Sequence, residues 1–66
     1  MAIVKESCKT QNYYISLEVI NNMYVVNVCP LINDCLCGYP EKSIIYSIKD
    51  KVKAYNTYKR YVKKYI

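Results

Sequence analysis

The sequence predicts an α+β domain in which a three- or four-stranded antiparallel β-meander is followed by one long C-terminal helix packed across one face (β-β-β-α). Two runs of alternating apolar residues flank an Asn-Asn pair, and the apolar period changes from 2 to about 3.6 after residue 40. The chain has only 66 residues, which leaves room for one hydrophobic core. Residues 1–66 are therefore predicted to form a single small domain.

The central hairpin is predicted from residues 13–20 and 23–29, joined by Asn21 and Asn22. Asn tolerates positive φ better than most residues, so the pair can form the two-residue turn that matches strand twist. With that turn, Leu17 faces Val26 and Ile15 faces Val28, which makes one sheet face fully apolar. The other face receives a mixed set of side chains, namely Tyr14, Ser16, Glu18, Ile20, Met23, Val25 and Asn27.

Two further segments are predicted to flank the hairpin. Pro30 ends the second strand, a turn is expected at Asn33 and Asp34, and residues 35–39 can return as a short strand. Residues 2–8 contain Ile3 and Val4 and are expected to form either an edge strand or an arm.

A helix is predicted over about residues 41–65, with Pro40 near its first turn and Lys63-Lys64 at its end. About 23 helical residues, from residue 43 to residue 65, span roughly 34 Å, which exceeds the length of strands of six or seven residues, so residues 58–66 are expected to overhang the sheet. The arc expected to pack on the sheet consists of Ile44, Ile45, Ile48, Val52, Tyr55, Val62 and Ile66.

The overhanging turns are predicted to expose a tyrosine stripe made of Tyr58, Tyr61 and Tyr65. Tyr is enriched at protein interfaces because it offers a large, rather rigid area with a polar tip. These residues, together with Ile20, Met23 and Val25 on the hairpin, are the predicted protein interface. The alternative is that the tyrosine rings pack within the chain.

Positive charge is concentrated near the C-terminus, since residues 41–66 contain eight of the ten Lys and Arg but two of the five Asp and Glu. On one helical wheel, five cations fall within an arc of roughly 60°. Such a stripe favours contact with nucleic-acid phosphates or an acidic partner, although a solvated helix face has the same pattern. The five are Lys42, Lys49, Lys53, Arg60 and Lys64.

Four cysteines, Cys8, Cys29, Cys35 and Cys37, equal the number of ligands in a structural zinc site. The single residue between Cys35 and Cys37 is a poor spacing, because residues two apart in a straight strand do not converge on one ion. Buried thiols are favoured over zinc and over redox use, so no metal and no cofactor are predicted.

The composition also narrows the classes of function. The chain lacks His, the commonest general acid-base residue, and its five carboxylates are scattered, so it is predicted not to be an enzyme. It contains no apolar run long enough to span a membrane and no signal peptide, which predicts a cytoplasmic protein.

The predicted function is that of a small binding or regulatory protein acting through protein-protein contacts, either with a partner or with its own copy. Nucleic-acid binding by the basic helix face is the alternative. In size and composition the chain is similar to accessory proteins of phages and other mobile elements, including inhibitors of bacterial defence, although no motif identifies such a family.

Overall fold

A computed structural model of the chain describes residues 2–32, 35–36 and 40–66. A 3₁₀ turn, Ile48–Asp50, leads into the helix α1, Lys51–Tyr65. Residues 33–34 and 37–39, which include the predicted turn, most of the predicted strand 35–39 and Cys37, lie outside the described residues. The described part contains five strands: β1 (Ala2–Lys9), β2 (Tyr13–Ile20), β3 (Met23–Ile32), β4 (Cys35–Leu36) and β5 (Lys42–Ser47).

The strands form an open antiparallel sheet, and α1 packs against it. β1 pairs with β2, and β2 pairs with β3. The other edge of β3 pairs with β5 along Met23 to Val28 and with β4 at Leu31 and Ile32. The predicted fold class, an antiparallel meander followed by one C-terminal helix, is thus confirmed, and residues 2–8 form a strand rather than an arm.

The central hairpin has the predicted turn and register. Asn21 and Asn22 have φ values of 49° and 61°, the positive values that a two-residue turn between twisted strands requires. Leu17 faces Val26 and Ile15 faces Val28, as predicted. All four of these side chains are fully buried beneath α1. We call this side of the sheet the covered face and the opposite side the open face.

The helix begins later than predicted, because residues 42–47 form strand β5. Burial alternates along this segment, with Ile44 and Tyr46 turned toward the core and Ile45 exposed. β-Branched and aromatic side chains suit a pleated, half-buried surface, and the free edge of β3 supplies backbone partners that a helix would leave unpaired. With 15 residues, α1 is about 22 Å long, comparable with the strands, so the expected overhang is wrong.

The side of the helix that packs on the sheet differs in part from the prediction: Tyr55 and Val62 of the predicted arc pack against the core, but the centre of the buried side lies elsewhere. Val52 and Ile66, which belong to the predicted packing arc, are 72% and 83% exposed. Residues 44–48 lie outside the helix and cannot contribute to its packed side. Among the remaining residues, the small and aromatic side chains at helical spacing bury the largest area. The residues of α1 that are buried are Ala54, Thr57, Tyr58 and Tyr61.

Candidate functional site

The tyrosine stripe of α1 belongs to the core. Tyr58 and Tyr61 are buried against the covered face, and Tyr65 lies partly buried with its ring centroid 4.6 Å from that of Tyr13. The Tyr65 hydroxyl donates a hydrogen bond of 3.4 Å to the Glu41 carboxylate. The prediction that these tyrosines form an exposed interface is therefore wrong, because the shorter helix lies wholly over the sheet.

The open face has an order that follows from the strand register. Side chains of paired residues project to the same side, so each cross-strand row can be read across β1, β2, β3 and β5. Two rows near one end of the sheet are mainly apolar, and the next row is polar. The rows are Ala2, Ile20, Met23 and Ser47, then Val4, Glu18, Val25 and Ile45, then Ser7, Ser16, Asn27 and Ser43.

The apolar residues of the first two rows form a surface that we call the apolar patch: Ala2, Val4, Ile20, Met23, Val25 and Ile45. Val4 and Ile45 are 53% and 60% exposed, and Met23 is also exposed. Val25, at 7%, is covered by its neighbours and offers little contact area, which corrects its predicted role. The sequence did not identify Val4, because its segment was expected to be either a strand or an arm. It did not identify Ile45, because residues 42–47 were predicted to belong to the helix.

Glu18 is the carboxylate within the apolar patch, between Val4 and Val25 in its row. It is half-buried, and one of its oxygens accepts hydrogen bonds from Ser16 Oγ at 3.0 Å and from Asn27 Nδ2 at 3.1 Å. Because these donors belong to the same chain, this oxygen keeps both hydrogen bonds when a partner covers the patch.

The described cysteine side chains do not form a metal site. Cys8 pairs with Ile15 on the covered face, whereas Cys29 pairs with Tyr14 on the open face, so their thiols point to opposite sides. Burial, and then the charge of Glu18, raises the pKa of the Cys29 thiol above 9.0. The described side chains include no group of three or more His, Cys, Asp or Glu that could hold a metal ion. The side chain of Cys35 lies outside this description.

Three of the five predicted cations come together beside the C-terminal half of α1. The Lys42 ammonium lies 5.5 Å from the Tyr61 ring centroid, and the Arg60 guanidinium lies 5.7 Å from the same centroid. The Lys64 ammonium lies 5.6 Å from the neighbouring ring of Tyr65. We call Lys42, Arg60 and Lys64 the basic flank.

The other two predicted cations lie apart from the basic flank. Lys49 belongs to the 3₁₀ turn, and Lys53 near the start of α1 forms an exposed ion pair of 4.0 Å with Asp50. The expectation that all five cations share one helical wheel is wrong, because Lys42 and Lys49 precede the helix. The basic flank instead combines one strand residue with two helix residues.

The electrostatics of the basic flank centre on Lys42. Its pKa is raised, chiefly by the charge that Tyr65 and then Tyr61 carries when its phenol is ionised. Within the described part of the chain, no carboxylate forms an ion pair with any of the three cations.

Comparisons with protein-family models, with curated proteins and with solved structures find no match to this chain. No pocket is found in the part of the chain that the structure describes. None of its described helices has both the length and the apolar character needed to cross a membrane. The candidate sites are consequently two surfaces, the apolar patch and the basic flank, on opposite sides of the sheet.

Proposed function

We propose that this chain is a small, non-enzymatic binding protein that acts through protein-protein contacts, and that a second copy of the chain occupies its open face. The observation that carries this proposal is the apolar patch, in which exposed side chains from outer strands β1 and β5 flank those of the central hairpin. Exposed apolar surface that spans several strands is typical of surface that a partner buries.

Charge favours a second copy as the occupant. Each chain has a net charge of +5, so most encounters between copies are repulsive. In the paired rows of the open face, however, the charged residues are Lys9 and Glu18, which have opposite signs, while Lys5 lies unpaired at the bulge of β1. Pairing through this face brings together surfaces of little net charge and keeps the cation-rich helices on the two outer sides.

The energetics also favour self-association. A chain of 66 residues buries a smaller fraction of its surface than a larger domain does, so its own core gives limited stability. Association of folded copies adds stability by mass action. The hydrogen bonds that Glu18 accepts from Ser16 and Asn27 within the chain offset part of the cost of burying its carboxylate.

The test is the mass in solution of a double variant, Val4→Lys with Ile45→Lys, measured by analytical ultracentrifugation. The matched control, Val52→Lys with Ile66→Lys, changes the same residue types and charge at exposed positions of the C-terminal segment. We expect the wild type and the control to be dimers and the open-face variant to be a monomer.

Two results would contradict the proposal. One is a monomeric wild type at every concentration that its solubility allows. The other is an equal loss of dimer in both double variants, which would mean that added charge anywhere on the chain prevents association. Circular dichroism of each variant checks that the fold is retained.

A further inference from the structure

We infer that the basic flank is a second binding site, which takes the phosphodiester backbone of double-stranded nucleic acid. It lies on the helix side of the sheet, away from the apolar patch, so it does not depend on self-association. Its three members come from two elements: Lys42 from β5, and Arg60 and Lys64 from α1.

Aromatic rings hold these cations in a shared position. Lys42 and Arg60 both lie within cation-π distance of Tyr61, which is buried and therefore fixed by the core. Lys64 lies in the same way over Tyr65, whose hydroxyl is bonded to Glu41. A site formed on packed rings is more ordered than three lysine or arginine side chains free in water.

The arrangement has an unbalanced charge that an anion would neutralise. Lys42 lies over the ring of Tyr61 and Lys64 over the ring of Tyr65, and the centroids of these two rings are 6.2 Å apart, so two cations are placed side by side. In the described part of the chain no carboxylate pairs with them, and the nearby Glu41 is bonded to the Tyr65 hydroxyl. Like charges held together repel, and a phosphate group between them would convert that repulsion into attraction.

The rest of the helix strengthens attraction to a polyanion. α1 has six Lys or Arg among its 15 residues and no Asp or Glu. A dense field of one sign raises the local concentration of an oppositely charged ligand and increases its rate of association. Double-stranded nucleic acid, with one charge about every 1.7 Å of its axis, is the ligand with the best complementary charge density.

The tyrosines indicate a duplex rather than a single strand. Proteins that bind single strands without sequence preference stack the bases on exposed aromatic rings. Here Tyr58 and Tyr61 are buried in the core, and Tyr65 packs against Tyr13. The basic flank thus presents charge without a freely exposed aromatic ring, which suits the backbone of a duplex whose bases are already stacked. Three cations predict a slope of log binding constant against log salt of about −3.

The experiment measures anisotropy of a short labelled DNA duplex with the full chain over a series of salt concentrations. The test variant is Arg60→Gln with Lys64→Gln. The matched control is Lys59→Gln with Lys63→Gln, which removes two charges at the same spacing from another side of α1. Gln has a helix propensity close to those of Lys and Arg, so the helix is retained in both.

We expect the test variant to bind about tenfold more weakly and its salt slope to fall by about two units, while the control, which removes only longer-range attraction, loses much less affinity and keeps its slope within about one unit. Lys42→Gln should weaken binding further, because it removes the strand member of the flank. An equal loss in the test and control variants would overturn the site, since binding would then follow the charge of the whole helix. Absence of binding at low salt, or tighter binding of a single strand than of the duplex, would overturn the proposal as well.

Discussion

The two faces of the sheet differ in how far their apolar character extends. On the covered face, apolar side chains occupy every row between β2 and β3, and the tyrosines of α1 close over them. On the open face, two apolar rows give way to the polar row that contains Ser16 and Asn27. The comparison teaches that a helix packs on the face that is apolar along its whole length, since the other face would force polar groups out of water.

The largest effect that separates the faces is expected from two adjacent valines of β3. Val26 is fully buried on the covered face, and Val25 is 7% exposed on the open face. We expect Val26→Ala to lower the free energy of unfolding by about 2 kcal/mol, because it leaves a cavity beneath α1, and Val25→Ala by about 1 kcal/mol. Urea unfolding followed by circular dichroism measures both.

The substitution is the same at neighbouring positions, so each variant serves as the control for the other. A cost at Val25 as large as that at Val26 would contradict the distinction between the faces. It would mean that the open face, within one chain or in a dimer, is packed as tightly as the covered face.

The hairpin was predictable from sequence because two independent signals agree there. The Asn21-Asn22 turn fixes a register, and that register alone places Leu17 opposite Val26 and Ile15 opposite Val28. Neither signal depends on any other part of the chain.

Residues 42–47 were not predictable in this way. The isoleucines of this segment fit a helical pattern as well as they fit a strand pattern, and these are Ile44, Ile45 and Ile48. Pro40 and Glu41 also resemble the start of a helix. The segment becomes a strand because the free edge of β3 pairs with it, which is a tertiary effect that no local pattern contains.

The candidate sites were affected by the same error. Ile20 and Met23 were identified because they belong to the hairpin, whereas Ile45 was assigned to a helix. Treating β5 as helix also lengthened the helix by two turns, and this extra length made Tyr58 and Tyr61 seem to overhang the sheet. The grouping of Lys42 with Arg60 requires the position of β5 beside α1 and could not be predicted from one wheel.

A smaller effect is expected from a hydrogen bond on the covered face. The Tyr46 and Thr57 hydroxyl oxygens lie 2.6 Å apart and join β5 to α1 at a site where Thr57 is buried. We expect Tyr46→Phe to lower the free energy of unfolding by about 1 kcal/mol, because the Thr57 hydroxyl loses its partner. Thermal or urea unfolding provides the measurement.

The matched control is Tyr14→Phe, which removes a hydroxyl from a tyrosine of similar burial on the open face. This variant should unfold within a few tenths of a kcal/mol of the wild type. If the two tyrosine variants lost equal stability, the hydrogen bond between Tyr46 and Thr57 would not be what distinguishes them.

The smallest effect concerns alkaline pH, to which both faces contribute. Burial is the main cause that raises the pKa of Tyr58 on the covered face and of Cys29 on the open face, above ordinary values of 10.0 and 9.0. For both groups the fold stabilises the protonated form, so the contribution of each group to the free energy of unfolding is complete below its ordinary pKa. That contribution is lost as pH rises through the higher pKa of the folded state.

The free energy of unfolding should consequently fall in two steps as pH rises, and the group on the open face should cause the first step. Between pH 9 and 10 the loss should come from Cys29, and above pH 10 Tyr58 should add to it. Urea unfolding over this range, compared among wild type, Cys29→Ser and Tyr58→Phe, separates the two contributions. Because each variant lacks one titrating group, its free energy of unfolding should fall less steeply with pH in the range where that group titrates. A wild-type slope in both variants would show that burial of Cys29 and of Tyr58 does not influence their proton release.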